Sequence, residues 1–182
     1  TGRKYLRGPR GTGFLYVNKK HFSWLNPFTL DLYSANLTSK DTYEVRKDAR
    51  MFESWESSPA LRLGLGMACE YAQKKDLFKT FERIQKLAHT LREELEKVQD
   101  CRVHDLGKER GGLVSFSLKG KDPLKVKEEL SKKKVNVSVS YKTSTFWDME
   151  ERGLGDILRA SVHYYNTEEE VLSFANILKG LP

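Results

Sequence analysis

The sequence predicts an α/β protein that ends in an α+β domain, and two observations carry this prediction. Apolar residues recur every three or four positions over 77–98, but every second position after Cys101. Over 101–180 these patterns predict the order strand, strand, helix, strand, strand, helix. This order is typical of helices packed on one side of a small sheet.

Three parts are predicted along the chain. Residues 1–58 combine glycine turns, a short apolar strand at 14–17 and a long loop rich in aromatic residues. Residues 59–100 predict two helices, of which the first is small and apolar nearly all round and is therefore expected to be buried. Residues 101–182 are expected to form the compact α+β domain.

The elements of the last part have clear sequence signals. Val114, Phe116 and Leu118 alternate with serines and are expected to face the core. Asp122 followed by a proline predicts the start of one helix, and Thr167 with Glu170 predicts a capping box at the start of the last. The predicted strands read "CRVHDL", "LVSFSLK", "VNVSVSY" and "ILRASVHYY".

Composition limits the classes of function. A hydrophobic content of 38% is enough for a core, and no apolar run reaches the roughly 20 residues of a membrane helix. The net charge of +7 is spread along the chain without a groove-reading motif, so nucleic acid is not an expected partner. Cys69 and Cys101 are far apart with no CxxC spacing, which favours a reduced, cytoplasmic setting without a metal site.

The opening segment "TGRKYLRGPRGTGFLYV" carries the strongest chemical signal. Its glycines are followed by a predicted strand and not by the helix that a phosphate-binding loop requires, so they are interpreted as turn residues. A lysine amine can condense with an aldehyde, and an adjacent arginine can bind a phosphate. Lys4 and Arg3 could therefore serve pyridoxal phosphate; the alternative is a solvated basic terminus.

The segment resembles the lysine motif of class V aminotransferases, which are fold type I pyridoxal-phosphate enzymes that include cysteine desulfurases and isopenicillin N epimerase-like proteins. "RMFESWESSPALRLGLGMACEY" and "LRASVHYYNTEEEV" resemble two further family segments, in the family's order. The resemblance implies that Lys4 is the catalytic Schiff-base lysine, that Arg3 contacts the cofactor phosphate and that Arg159 binds the carboxylate of an amino-acid substrate. It covers the end of the large domain, the interdomain helices and the small domain.

Strand periodicity independently places Arg159 on the face that lacks Leu158, Ala160 and Val162. A guanidinium held there could pair with a carboxylate through two hydrogen bonds. The alternative is a structural salt bridge.

The chain also departs from the family pattern. Cysteine desulfurases use a cysteine in the loop before the final strand, but "YKTSTFWDMEERGLGD" has none, so an aminotransferase, epimerase or carbon–sulfur lyase is expected and a persulfide-type desulfurase is not. In that loop Ser144, Thr145, Phe146 and Trp147 either line a substrate pocket or pack within the loop.

The family's phosphate loop, ring-stacking aromatic and ring-nitrogen aspartate precede the lysine and have no counterpart here. The chain is therefore expected to be weakly active alone and to associate with a missing N-terminal segment or as a homodimer. Trp55, Ser57 and Ser58 could reach a partner subunit or pack within their own chain. The remaining alternative is a non-enzymatic basic α+β module for binding or dimerisation.

Overall fold

The structure is a computed structural model that describes residues 1–181. The chain falls into two units, Thr1–Lys75 and Asp76–Pro182. None of the helices in the described part is both long and apolar enough to cross a lipid bilayer. The division of the sequence into three parts remains a prediction.

The first unit contains little regular structure before its helix. Strands β1 (Ala35–Leu37) and β2 (Tyr43–Val45) form an antiparallel hairpin, and helix α1 spans Pro59–Lys74. Short 3-10 turns cover Lys19–His21 and Ala49–Phe52. The Ser58 side chain caps α1 by accepting a hydrogen bond from Leu61 N.

Two expectations for this unit are wrong. Residues 14–17 form no strand, because no described segment pairs with their backbone, and Phe14 and Tyr16 are 74% and 79% exposed. The apolar composition of helix α1 predicts a buried helix, but α1 has no buried residue within residues 1–181. An apolar surface is buried only when another element packs on it, and the sequence of α1 does not specify that element.

The second unit joins the second predicted helix to the strands and helices that the sequence predicts after Cys101. It contains helix α2 (Leu77–Glu96), strands β3 (Cys101–Val103) and β4 (Leu113–Leu118), and helix α3 (Pro123–Lys132). Strand β5 (Ser138–Ser140), helix α4 (Phe146–Glu151), strand β6 (Ile157–Ser161) and helix α5 (Glu168–Lys179) follow. The strands pair antiparallel in the order β3-β4-β6-β5.

One face of this sheet packs on the helices and forms the core. Val114, Phe116 and Leu118 point into it as predicted, together with Leu158 and Ala160 of β6. The predicted capping box at Thr167 and Glu170 is present at the start of α5. The polar face of β4 and β6 is thereby turned away from the helices, which fixes the orientation of Arg159.

Candidate functional site

The opening loop is closed by backbone hydrogen bonds. Gly2 N donates to Thr12 O at 2.8 Å, and Gly8 N donates to Gly2 O at 2.8 Å. Arg7 N donates to Lys4 O at 2.9 Å, which makes residues 4–7 a turn. Lys4 therefore lies on a defined turn and not on a flexible tail.

Helix α1 packs against this loop at a glycine. A Cβ atom on Gly64 would lie 2.7 Å from Pro9 Cγ, and a Cβ on Gly2 would lie 2.7 Å from the Leu65 side chain. Gly64 needs glycine because the Pro9 ring is rigid and approaches the helix too closely for a side chain, whereas the Leu65 side chain can turn away from a Cβ on Gly2. The Arg7 guanidinium also lies 5.4 Å from the centre of the Tyr71 ring.

The side chains of Arg3 and Lys4 project from this loop and are exposed. No ion pair between residues 1–181 includes either of them. The turn thus presents a primary amine and a guanidinium side by side and available to a ligand. This donor set fits a cofactor that carries an aldehyde and a phosphate.

Arg159 lies at the middle of β6, an inner strand of the sheet in the second unit. It is directly opposite Ser115 of β4 and Ser138 of β5, so all three side chains share the polar face. Its Nε is buried without a hydrogen-bond partner, and no ion pair within residues 1–181 includes it. The alternative of a structural salt bridge is therefore not supported. A buried donor left unbonded costs about 1–3 kcal/mol, which a bound carboxylate could recover.

A buried polar network, which sequence analysis missed, borders this face. Arg92 Nε of α2 donates to Asp105 Oδ2 at 2.7 Å, and their side chains are 5% and 11% exposed. Asp105 Oδ1 accepts from Ser115 N at 2.8 Å and from Ser115 Oγ at 2.5 Å. The sequence signal for this network is Arg92, a charged residue next to the apolar stripe that contains Leu91 and Leu95.

His104 lies beside this network and is also buried. Its Nε2 is 2.8 Å from Ser117 Oγ. Burial lowers the pKa of His104, and the cations of Arg102 and Arg152 lower it further. The neutral imidazole is therefore favoured in the fold.

The loop between β5 and β6 is ordered by contacts within the loop and by one hydrogen bond to His104. Lys142 N donates to Asp156 Oδ1 at 2.8 Å, Met149 of α4 is buried, and Arg152 Nη2 donates to His104 O at 2.5 Å. The residues proposed as pocket lining are exposed, and Trp147 is exposed by 85%. Those residues are Ser144, Thr145, Phe146 and Trp147.

The segment 53–58 is held within its own unit. Asp31 Oδ2 accepts from Trp55 N at 2.8 Å, and this bond and the one from Tyr33 N lower the pKa of Asp31. The Trp55 ring packs edge-on against Tyr33. Ser57 Oγ accepts from Arg62 Nη1 at 3.4 Å. The role of Trp55, Ser57 and Ser58 toward a partner subunit remains a hypothesis.

The two cysteines are free thiols in different elements. Cys69 is half-buried on α1, and Cys101 begins β3. Burial raises the pKa of Cys101 to about 11. Within residues 1–181, no group of three or more histidine, cysteine or acidic side chains could hold a metal ion.

Comparison with known proteins identifies the family that this chain matches. The profile described as aminotransferase class-V matches residues 1–174. A probable cysteine desulfurase of Methanothermobacter thermautotrophicus is 25% identical over 99% of this chain and 46% of its own length. The chain therefore spans about half the length of that relative.

Solved structures show the same fold. The apo cysteine desulfurase of Thermococcus onnurineus superposes with a TM-score of 0.87 at 24% identity, over 98% of this chain and 45% of that one. The cystine C–S lyase C-DES, solved with its reaction product cysteine persulfide, has a TM-score of 0.79 at 21% identity over 99% and 45%. The predicted fold, part of a fold type I pyridoxal-phosphate enzyme, is confirmed.

The comparisons also bear on cofactor and reaction. Pyridoxal 5′-phosphate is the cofactor they support, and a variant of C-DES holds it with glycine covalently linked. The prediction that excluded a persulfide-type cysteine desulfurase is wrong, because relatives that match 99–100% of the chain are named probable cysteine desulfurases and two solved structures that match 98% and 95% of it are cysteine desulfurases. The missing loop cysteine was a poor criterion, since a sulfur acceptor is one thiol and does not define the rest of the site.

Proposed function

We propose that this chain, which belongs to the aminotransferase class-V family, supplies part of a pyridoxal-phosphate enzyme that cleaves the carbon–sulfur bond of cysteine. The observation that carries the proposal is the extent of the match to proteins named cysteine desulfurases. The similarity runs over 97–100% of this chain and is not confined to one motif. This chain matches only part of the length of those relatives. We therefore attribute the activity to a protein that contains this chain together with counterparts of the parts of those relatives that it does not match.

Lys4 and Arg3 are the proposed cofactor contacts. Bound pyridoxal phosphate supplies an electron sink for the carbanion formed at the substrate α-carbon. Lys4 offers an exposed amine on a turn that the packing of Gly64 against Pro9 holds in place. We assign Lys4 to covalent attachment of the cofactor and to proton transfer at the α-carbon, and Arg3 to the phosphate.

Arg159 is the proposed contact for the substrate carboxylate. Its buried and unbonded Nε requires an acceptor, and the neighbouring Ser115 and Ser138 carry no charge that would compete. A carboxylate held by the guanidinium fixes the orientation of the amino acid, which brings the reacting bonds into a defined geometry.

The reaction needs a sulfur acceptor. Cysteine and a thiol give alanine and a persulfide: the Cβ–S bond breaks, the sulfur bonds to the acceptor sulfur, and a proton takes its place on Cβ. The loop 142–156 contains no thiol, so we propose that the acceptor is a thiol from outside this loop or one in solution.

We also propose which partners this chain has. They are the segment that supplies the rest of the site and a second copy of the chain in a homodimer. Two free thiols suit a reducing compartment, and we propose a cytoplasmic location.

The test uses the full-length protein loaded with pyridoxal phosphate. We expect cysteine and an added thiol to yield alanine and persulfide in equal amounts. Amino-group transfer to a keto acid without sulfur release would contradict the proposal. Borohydride reduction followed by peptide mass spectrometry should find the cofactor on Lys4; attachment elsewhere would refute that assignment, and Lys4→Ala should abolish it.

A further inference from the structure

We propose that an open cavity in the second unit binds a small ligand through a phosphate group. The cavity has a volume of about 290 Å³, close to the lower end of the roughly 300–1,000 Å³ of ligand pockets. None of the residues proposed to contact the cofactor or the cysteine substrate lines it. Its charged and titratable lining residues are Arg92, His104, Asp105, Glu109, Arg110 and Arg152.

Three separate elements bring a guanidinium group to this cavity. Arg92 belongs to α2, Arg110 lies in the segment between β3 and β4, and Arg152 directly follows α4. Like charges repel, so three arginines in one cavity require acceptors, from the protein or from a ligand. The question is therefore which of their donors the protein already satisfies.

Arg152 and one edge of Arg92 are paired within the protein. Arg152 Nη1 donates to Asp148 Oδ2 at 3.0 Å, and Arg152 Nη2 donates to His104 O. Arg92 Nε donates to Asp105 Oδ2 at 2.7 Å. These bonds hold the two guanidinium groups in place before any ligand binds.

The other edge of Arg92 has no acceptor. Arg92 is buried, and its Nη2 donates to Gly111 O and Leu113 O. Its Nη1 makes no hydrogen bond within residues 1–181, yet it is not fully enclosed by protein atoms. Because Arg92 lines the cavity, we infer that the cavity gives Nη1 its access to solvent.

Arg110 provides the second unsatisfied donor group. It is half-buried, and within residues 1–181 its guanidinium makes no hydrogen bond and no ion pair. The adjacent Glu109 also lines the cavity, but it is exposed and forms no ion pair in the described part of the chain. Donors of Arg92 and Arg110 therefore line one space without a protein acceptor.

A phosphate group matches these donors better than a carboxylate does. A phosphate monoester carries about −1.5 to −2 charges at pH 7 and three acceptor oxygens, so it can accept from two separate guanidinium groups at once. A carboxylate has one charge and two oxygens, which a single guanidinium can satisfy. The volume of the cavity leaves room for a small organic part of the ligand.

The experiment titrates the full-length protein by calorimetry near neutral pH and at low ionic strength. The protein is loaded with pyridoxal phosphate, so that its cofactor site is filled. We expect saturable binding of inorganic phosphate and glycerol phosphate, and binding of acetate about tenfold weaker or less. The tighter of the two phosphates tells a free ion from an ester, and either order supports the site. Acetate binding as tight as phosphate binding, or no saturable phosphate binding, would overturn the proposal.

Arg110→Gln should weaken phosphate binding about tenfold, because one charged hydrogen-bond donor group is lost. Arg110 makes no bond within the described residues, so urea unfolding without phosphate should match the parent protein. Glu109→Gln removes a negative charge from the lining and should tighten binding about threefold. An unchanged affinity in Arg110→Gln would overturn the site.

Lys108→Gln is the matched control, because it removes one positive charge from the same segment but Lys108 does not line the cavity. Its phosphate affinity should stay within about twofold of the parent value. Equal weakening in Lys108→Gln and Arg110→Gln would indicate an effect of net charge and would overturn the site.

Arg159→Gln separates this inference from the proposed function. If phosphate binding is lost in Arg159→Gln and kept in Arg110→Gln, the ion occupies the proposed substrate site and the inference is overturned. Cysteine cleavage should stay within about twofold in Arg110→Gln. If the parent protein binds phosphate in this way but does not cleave cysteine, only the proposed function fails.

Discussion

Pro9 of the opening loop lies so close to Gly64 of α1 that a Cβ atom on Gly64 would be 2.7 Å from Pro9 Cγ. This contact ties the turn that carries Lys4 to a helix. A proline ring cannot rotate away from added atoms as a long side chain can, so the loop or the helix would have to move.

Gly64→Ala should therefore displace the loop. We expect a loss of about 1–3 kcal/mol from overpacking, partly offset by about 1 kcal/mol of helix propensity. Covalent attachment of pyridoxal phosphate at Lys4 should fall in parallel. Urea unfolding and borohydride trapping in the full-length protein measure the two effects.

Gly66→Ala is the control for this prediction. A Cβ on Gly66 meets nothing within 4 Å, so alanine should stabilise the protein by up to about 1 kcal/mol. Equal stability of the two variants would show that the contact between Pro9 and Gly64 does not hold the loop.

The buried ion pair of Arg92 and Asp105 should be costly to break from one side. Arg92→Met leaves a buried carboxylate without its cation and should lower the free energy of unfolding by about 3–5 kcal/mol. Arg92→Met with Asp105→Asn should lose less than the sum of the two single variants, because the amide carries no charge. Additive losses in denaturant unfolding would contradict a coupled pair.

His104 should make stability depend on pH. Its pKa is lowered in the fold, chiefly by burial, so the unfolded chain takes up the proton at a higher pH than the folded chain does. The contribution is fully present above pH 6.5, the ordinary value, and is lost as the pH falls through the folded pKa.

Denaturant unfolding between pH 5 and 8 measures this dependence. His104→Gln should flatten the fall in stability below about pH 6.5. A His104→Gln curve parallel to the parent would refute the assignment.

Cys101 should be a slow nucleophile. With a pKa of about 11, its thiolate at pH 8 is about a hundredfold scarcer than that of a thiol with the ordinary value of 9.0. In Cys69→Ser, the rate of alkylation by iodoacetamide should rise about tenfold per pH unit until pH approaches 11. An alkylation rate that stops rising below pH 9 would contradict the raised pKa of Cys101.

Local signals in the sequence determined the second unit. Alternation at Val114 and Phe116, the proline after Asp122 and the capping box at Thr167 each depend on neighbours within a few residues, and each is present in the structure. The same alternation placed Arg159 on the polar face, since the side-chain period of a strand is fixed.

Features that need a distant partner could not be derived in this way. Residues 14–17 have the composition of a strand but no described segment to pair with, and α1 is apolar but carries no buried residue in the described part. The bonds of Asp105 to Arg92 and Ser115 join residues 13 and 10 positions away. Local periodicity determined which way Arg159 faces, whereas only the tertiary structure decided which groups surround it, because hydrogen bonding and burial depend on contacts between separate elements.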